Sequence, residues 1–243
     1  MTDLHCHILP GMDDGSPSVA VSEEMLRMQA EQGMDTVVLT SHFYRHHEHP
    51  EDFLARQRAA WEELQNHLRS LPEEVPMPRL LTGAEVAWVP NMEELMDLSR
   101  FCIGGTRNLL LELPFQPWQG NMVRQIYDMM GHTGITPVIA HIERYIKFQR
   151  RDLVDAVFSL GVPVQISAEL LLHPFTRRMA LKLLRSGRAQ FIASDSHNLT
   201  TRKPNMGPAI AVLRQKLGED FVVQMGRRVD ALAGISSISS KEQ

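Results

Sequence analysis

Histidine and carboxylate side chains are spaced along the N-terminal segment as metal ligands would be. Asp3, His5 and His7 alternate with apolar residues, so in a β-strand all three face one side and Cys6 faces the other. Two imidazoles separated by one residue can bind the same metal ion. Asp3 is then predicted to orient one of the two rings. The first chemistry that the sequence indicates is therefore metal binding.

Residues of the same types stand at or just after the ends of six of the seven strands predicted below. In a parallel sheet or barrel these carboxyl ends share one rim. Carboxylates gathered there, with no basic partner evident in the sequence, would repel one another unless cations neutralised them. The sequence thus predicts a metal cluster formed by His5, His7, Asp14, His42, Glu85, Glu112, His141, Asp195 and His197.

Short apolar, β-branched runs alternate with longer segments of helical periodicity, which is typical of a parallel sheet covered by helices. The predicted strands are Asp3–Leu9, Thr36–Ser41, Leu80–Glu85, Leu109–Leu113, Pro137–His141, Pro163–Ser167 and Gln190–Ser194. The predicted helices are Val19–Gln32, Pro50–Leu71, Asn121–His132, Leu153–Leu160, Pro174–Leu184 and Pro208–Leu217. Periodicity alone leaves a closed TIM-like barrel and an open doubly wound sheet both open.

Composition narrows the class of protein. The chain has 243 residues and a net charge of −4, which fits one α/β domain over 1–243 and argues against a basic nucleic-acid-binding protein. No secretory signal or membrane segment is evident, and two cysteines cannot form a disulfide framework. We therefore expect a cytoplasmic protein. The polar, serine-rich tail from Ser236 to Gln243 is expected to be frayed.

The cysteines also bear on the kind of phosphate chemistry that is possible. A phosphatase with a cysteine nucleophile needs an arginine six positions after it, to bind the phosphate. Met12 stands six positions after Cys6, and Asn108 six positions after Cys102. The sequence therefore excludes a phosphocysteine intermediate.

A long opening motif carries a family resemblance. The segment Asp3-Leu-His-Cys-His-Ile-Leu-Pro-Gly-Met-Asp-Asp-Gly15 resembles the start of the polymerase-and-histidinol-phosphatase (PHP) superfamily. In this longer form it is similar to the bacterial manganese-dependent tyrosine phosphatases of capsule and exopolysaccharide operons. Further matching motifs follow in order as far as about residue 217: Thr40-Ser-His42, Gly83-Ala-Glu85, Leu111-Glu112, Ile139-Ala-His-Ile-Glu-Arg-Tyr145 and Ala193-Ser-Asp-Ser-His-Asn198.

The resemblance implies a distorted seven-stranded barrel with three divalent ions, usually manganese; iron, cobalt or zinc also suit such ligands. It implies that one ion is held by His5, His7, Glu85 and Asp195, that Glu85 bridges to a second ion held by Glu112 and His141, and that Asp14, His42 and His197 hold the third. The phosphate-binding arginines of the family fall on Arg144 and Arg202. Three such ions outweigh the four carboxylates by two positive charges, which suits a phosphate dianion.

The implied substrate is an autophosphorylated bacterial tyrosine kinase that controls polysaccharide export. Three alternatives remain at this point. One is a phosphatase acting on histidinol phosphate or a sugar phosphate, and another is a phosphodiesterase acting on nucleic acid. The third is a non-catalytic metal module that binds phosphotyrosine. Two neighbouring segments, Phe43–His49 and Pro114–Trp118, are candidates for substrate contact, but solvent exposure or packing explains them equally well or better.

Overall fold

Short aliphatic runs form parallel strands in this chain, of which the computed structural model describes residues 1–72 and 74–235. The tail expected to be frayed, from Ser236 to Gln243, lies outside the described residues. Within them the strands are β1 (Thr2–Cys6), β2 (Thr36–Leu39), β3 (His42–Phe43), β4 (Arg79–Thr82), β5 (Glu85–Ala87), β6 (Asn108–Glu112), β7 (Thr136–Ile139), β8 (Gln165–Ser167) and β9 (Phe191–Ala193).

Helices follow most of the strands and bury one apolar face each. They are α1 (Val19–Glu31), α2 (Pro50–Arg69), α3 (Met92–Leu95), α4 (Met122–Thr133), α5 (Glu143–Ile146), α6 (Arg151–Phe158), α7 (Glu169–Leu172), α8 (Pro174–Arg185), α9 (Met206–Leu217) and α10 (Glu219–Leu232). Their starts follow local chemistry: Ser18 caps α1 by accepting a hydrogen bond from the Val21 N–H, and Pro50 opens α2. Among the described residues, no helix has the length and apolarity needed to cross a membrane.

All strand pairs are parallel. The order is β1-β2-β4 in one sheet, β3-β5-β6-β7 in a second and β8-β9 in a third. Isolated parallel bridges link Cys6 to Ser196 and Ile139 to Val164. The structure therefore confirms a mixed α/β fold with parallel sheets, whose carboxyl ends lie on one side as the sequence predicts.

All seven predicted strand positions are occupied, but the strand predicted as Asp3–Leu9 ends at Cys6, so His7 lies just after it. Two other predicted strands are interrupted. The segment predicted as Thr36–Ser41 stops at Leu39 and resumes as β3 at His42, and the segment predicted as Leu80–Glu85 stops at Thr82 and resumes as β5 at Glu85. At each break the chain leaves one sheet and joins the next. Each interruption therefore puts a candidate ligand at the start of a new strand.

The helices of fewer than two turns and the C-terminal α10 were not predicted. Short helices such as α3, α5 and α7 contain too few residues for a periodic pattern to be visible. In α10, Val222, Met225 and Val229 are buried at helical spacing, so the signal for this helix was present after Leu217.

A buried polar network joins α1, β1 and the end of β9 behind the strand ends. The Asp3 carboxylate accepts hydrogen bonds from the Ser194 backbone N–H (3.0 Å) and from the Gln29 side-chain amide (2.6 Å). Asp3 and Gln29 are fully buried. The cost of burying each polar group is offset only while its partner is present.

Replacing Asp3 by alanine is expected to destabilise the protein, because the Ser194 N–H and the Gln29 amide lose their acceptor. We expect the free energy of unfolding to fall by roughly 1–3 kcal/mol for each donor left unpaired, measured by urea denaturation of the metal-free protein. Asp3→Asn is the matched control. Its oxygen can still accept, and its amide can donate to Gln29 Oε1, which is buried without a partner. Equal losses in the two variants would contradict this account.

Candidate metal centre

Five histidine rings at the strand ends have one nitrogen occupied by a neighbouring group. His5 Nδ1 lies 2.9 Å from Gln165 Oε1 and His7 Nδ1 lies 2.8 Å from Asp13 Oδ2. The other three Nδ1 atoms contact the Tyr44 hydroxyl (3.2 Å, from His42), the Tyr145 hydroxyl (3.4 Å, from His141) and the Asp195 carbonyl (3.0 Å, from His197). In four of these rings the partner on Nδ1 directs Nε2 at the carboxylates, as in protein metal sites. His42 differs, because its Nδ1 also lies 2.9 Å from Glu85 Oε2.

The most tightly grouped donor atoms belong to two histidines and two acids, all of them buried. His5 Nε2 and His7 Nε2 are 3.1 Å apart. Each lies 3.2–3.3 Å from Glu85 Oε2 and 3.4–3.5 Å from Asp195 Oδ1. These separations resemble the edge of a tetrahedron, roughly 3.4 Å, whose centre lies about 2.1 Å from each corner. These five separations therefore match those between ligands around one ion, and His5, His7 and Asp195 form a set whose donor atoms are within 4.8 Å of one another.

Glu85 extends this group toward the ends of β6 and β7. Its Oε1 is 2.6 Å from His141 Nε2, which in turn is 3.7 Å from Glu112 Oε1. Donor atoms of His42, Glu85 and Glu112 also lie within 4.8 Å of one another. The carboxylate of Glu85 thus faces His141 through Oε1. Its Oε2 faces His42 as well as the two histidines of β1 and its following loop.

A third group lies at the mouth of the site. His197 Nε2 and His42 Nε2 lie 3.4 and 3.7 Å from Asp14 Oδ1, and His7 completes a set whose donor atoms are within 4.8 Å of one another. The His7 and His197 rings stack with centroids 3.7 Å apart. Asp14 is exposed, in contrast to the buried carboxylates further in. This group therefore borders the solvent from which a substrate would arrive.

Two arginines reach the same carboxylate from the rim. Arg144 Nη2 donates to Asp195 Oδ2, and Arg202 Nη2 lies 2.9 Å from Asp195 Oδ1. The expectation that the acids lack basic partners is therefore wrong for Asp195. The acidic residues near Arg144 in sequence have other partners: Glu143 accepts a hydrogen bond from the Ser167 N–H, and Asp152 pairs with Arg150.

Two candidate ligands have strained backbones. His141 has φ 29° and Asp195 has φ 50°, a region that residues other than glycine rarely adopt. Such strain persists where the surroundings impose it, often at functional sites. Here the His141 N–H contacts Gln165 Oε1 (3.3 Å) and the Asp195 N–H donates to the His5 carbonyl (2.9 Å), which holds both residues in place.

Without metal, protons and arginines compensate the charge of the acids. Burial opposes protonation of His5, but Glu85 and Asp195 raise its pKa; for His7, hydrogen bonds with Asp13, Asp195 and Glu85 outweigh burial and raise the pKa well above its usual value. Burial disfavours the charged forms of Glu85 and Asp195, yet His5 and the groups around it hold both pKa values well below the usual range. Burial, together with the charge on His7, lowers the pKa of His197 to about 3.

The residues present fit a group of divalent cations. Glu85 Oε2 and His197 Nε2 are buried and make no hydrogen bond, although both are directed at other donors. Imidazole nitrogens mixed with carboxylate oxygens suit manganese, iron, cobalt or zinc. Bound cations would give both atoms a partner and would neutralise the repulsion among the acids.

Comparison with known proteins places this arrangement in a family. The sequence model for capsular polysaccharide synthesis proteins CpsB/CapC matches residues 1–229. The chain belongs to the CpsB/CapC family. It is 30% identical over 241 residues to tyrosine-protein phosphatase YwqE of Bacillus subtilis, covering 96% of this chain and 91% of that protein. It is 27% identical to tyrosine-protein phosphatase CpsB of Streptococcus agalactiae, covering 93% and 94%.

Solved structures agree with this membership of the CpsB/CapC family. A chain from the crystal structures of YwqE from Bacillus subtilis and CpsB from Streptococcus pneumoniae, which are metal-dependent tyrosine phosphatases, matches with a TM-score of 0.82 and 29% identity, covering 97% of this chain and 95% of the other. A variant of an organophosphorus hydrolase matches with a TM-score of 0.55 at 15% identity, covering 96% and 92%. At this low identity the second match shows a similar fold only, that of the TIM-barrel group of hydrolases.

All nine residues predicted to bind metal meet at one mouth, together with both predicted arginines. Their roles as ligands remain a prediction. The prediction that Asp3 orients a histidine ring is wrong, because its carboxylate binds Ser194 and Gln29 instead. Sequence reasoning missed Asp13, Gln165 and Tyr145, whose side chains contact the Nδ1 atoms of three histidines. A glutamine inside an otherwise apolar predicted strand was the available signal for Gln165.

Binding of Mn²⁺ is expected to strengthen as the pH rises through the neutral range. The raised pKa values mean that His5 and His7 hold protons in the metal-free protein, whereas metal binding needs neutral imidazoles. Affinity should therefore increase until the pH exceeds these pKa values and then become constant. Isothermal titration calorimetry in buffers of different ionisation enthalpy measures the protons released.

Asp13→Asn is the matched variant for this experiment. Because the hydrogen bond with Asp13 raises the pKa of His7, asparagine there lowers it, and fewer protons should leave on Mn²⁺ binding at neutral pH. A wild-type affinity that did not change across the neutral range would contradict the assignment of the protons to these histidines.

Proposed function

We propose that this chain is a metal-dependent protein tyrosine phosphatase whose substrate is an autophosphorylated bacterial tyrosine kinase controlling the export of capsular or extracellular polysaccharide. One observation carries the proposal: five Nε2 atoms, four carboxylates and two guanidinium groups converge on a single solvent-facing mouth. Membership of the CpsB/CapC family and the names of the curated relatives support the same activity. The net charge of −4 argues against a nucleic acid as substrate.

The proposed centre holds three divalent ions, with manganese as the expected metal. The first ion would be held by His5, His7, Glu85 and Asp195, the second by Glu85, Glu112 and His141, and the third by Asp14, His42 and His197. Support for the first set comes from the donor separations of 3.1–3.5 Å. When bound, divalent ions supply Lewis acidity and a nucleophile from water at neutral pH.

The arginines provide the part of the chemistry that the chain itself performs. Arg144 and Arg202 are about a third exposed, at 32% and 34%, so they reach the solvent side while remaining next to Asp195. From there their N–H groups can bind the non-bridging oxygens of a phosphate and stabilise the charge that grows during in-line attack. The leaving group is a phenolate whose parent pKa is near 10, so it needs less protonation than an alkoxide would.

The proposal includes a distorted seven-stranded TIM-like barrel that spans a single domain. In this arrangement β2 with β3, and β4 with β5, each act as one bent strand. The bridges from Cys6 to Ser196 and from Ile139 to Val164 would join the three sheets into a ring. A cytoplasmic location fits the two cysteines, which are free and buried.

A cysteine nucleophile does not fit the site. The Cys6 thiol donates to the Val38 carbonyl at 3.2 Å and is fully buried, and burial raises its pKa well above the usual value. Burial also raises the pKa of Cys102 to about 11. Neither thiol is therefore a reactive thiolate at neutral pH.

Removal of metal is expected to abolish hydrolysis of a phosphotyrosine peptide, whereas thiol alkylation is expected to have little effect. After dialysis against a chelator, Mn²⁺ should restore the activity better than Mg²⁺, because imidazole ligands suit manganese better. The same assay with histidinol phosphate and a dinucleotide separates the alternative functions, and elemental analysis should find close to three ions per chain. Loss of activity on alkylation, with the metal retained, would contradict the mechanism.

Arg144→Ala is expected to lower kcat/KM. By analogy with the removal of an oxyanion donor, the transition state should lose about 2–4 kcal/mol of stabilisation. The matched control is Arg150→Ala, because Arg150 is an exposed arginine that pairs with Asp152. Steady-state kinetics on the manganese-loaded enzyme, with metal content checked for each variant, measure the difference. An unchanged kcat/KM in Arg144→Ala would remove this residue from the mechanism.

A further inference from the structure

A cleft of about 240 Å³ opens beside the candidate metal centre and is walled mostly by aromatic and apolar side chains. Its lining includes Tyr44, Trp88, Glu112, Pro114 and Phe115. Glu112 also belongs to one of the three groups of metal-type donors. The cleft is therefore continuous with the proposed site of phosphate hydrolysis.

Two neighbouring strands build the wall of this cleft in the same way. Trp88 stands three residues after Glu85, and Phe115 stands three residues after Glu112. β5 and β6 pair in parallel, and the Trp88 N–H donates to the Glu112 carbonyl at 2.8 Å. Each strand thus supplies a candidate ligand, and the segment just after the strand supplies an aromatic residue. This arrangement puts the aromatic wall next to the metal centre.

Phe115 presents an aromatic ring that its own fold does not cover. It is 49% exposed, although its ring lies 5.2 Å from the buried ring of Tyr145 and 6.4 Å from that of His141. One side is therefore supported by the site and the other is open to solvent. An exposed apolar ring at the edge of a pocket is a common feature of ligand sites.

A second cleft lies on the other side of Tyr44, and its chemistry differs. It has about 350 Å³ and is lined by Asp13, Asp14 and Glu48, with Arg56, so it favours water and cations over an aromatic ring. The cleft containing Phe115 has a single lining carboxylate, Glu112, which is a candidate metal ligand. The second cleft also contains Met12, Tyr44 and the candidate ligand His42. Because it carries three carboxylates and a guanidinium group, the less charged Phe115 cleft suits an uncharged aromatic ring better.

We propose that Phe115 and Trp88 bind the aromatic ring of the substrate and so make the site selective for aryl phosphates over aliphatic ones. This inference rests on the proposed function and adds the residues that would distinguish tyrosine from other phosphate esters. In an aryl phosphate the ester oxygen is bonded directly to the ring, so the ring must lie next to the bound phosphate. Contacts between aromatic rings contribute beyond the area that they bury, and an alkyl group cannot provide them.

Two phosphonates test the proposal without turnover. Phenylphosphonate and methylphosphonate carry the same head group, so their affinity ratio measures the contribution of the ring alone. We expect Phe115→Ala in the manganese-loaded protein to weaken phenylphosphonate binding by roughly threefold to tenfold, the range expected of an aromatic pair, and to leave methylphosphonate binding unchanged. Calorimetry or competitive inhibition measures both affinities.

Phe175→Ala is the matched control, because Phe175 is 98% exposed on α8 and does not line the cleft; it should leave both affinities unchanged. Trp88→Leu provides a second variant of the wall and should also weaken phenylphosphonate selectively. An unchanged ratio in Phe115→Ala and Trp88→Leu, or an equal loss for both ligands, would overturn the proposal while leaving the phosphatase assignment intact. A wild-type protein that binds neither phosphonate and hydrolyses no phosphotyrosine would overturn the proposed function itself.

Discussion

Repulsion among buried acids is the constraint on which the site depends. Glu85, Glu112 and Asp195 are almost entirely buried. Glu85 shares a histidine neighbour with each of the other two, His5 with Asp195 and His141 with Glu112. Ionised carboxylates in such a place need opposite charge. In the chain itself, Arg144 and Arg202 supply it to Asp195, and the carboxylates raise the pKa values of His5 and His7, which favours protonation of these rings. In the proposed centre, bound cations would replace those protons, and the two arginines would add to the positive charge that faces a phosphate.

The fold brings the acids and their partners together through the conformation of the backbone around the strand ends. Parallel strands bring their carboxyl ends together, and the positive φ values of His141 and Asp195 turn these side chains inward just after their strands end. The loop after β1 packs tightly against His7, since a Cβ added at Gly15 would lie 2.1 Å from the His7 carbonyl oxygen. Only glycine therefore allows Asp13 to reach the His7 ring, so the Asp-Asp-Gly motif and the histidines form one unit.

The sequence predicted the positions of the strands, the shared rim and the residues that meet there, because side-chain alternation and strand ends indicate which residues face that rim. It predicted less well where local structure departs from a regular strand. The register of β1 shifts between Asp3 and Cys6, and strict alternation could not anticipate where Asp3 points. The breaks before His42 and Glu85 fall at Thr40-Ser41 and Gly83-Ala84. A glycine in a strand pattern can mark an irregularity, but it does not indicate a change of sheet. Partners such as Gln165 lie more than a hundred residues from the ring they orient, beyond any local pattern.

The same strand ends that set the chemistry also limit what can be recognised beside it. Glu85 and Glu112 are each followed, three residues later, by an aromatic residue, and the pairing of β5 with β6 fixes the two pairs relative to one another. A change of register by one residue would turn the acid of the strand away from the mouth and move the aromatic residue that follows the strand. The two proposed properties, binding of metal and selection of an aromatic leaving group, would therefore depend on the same pair of parallel strands.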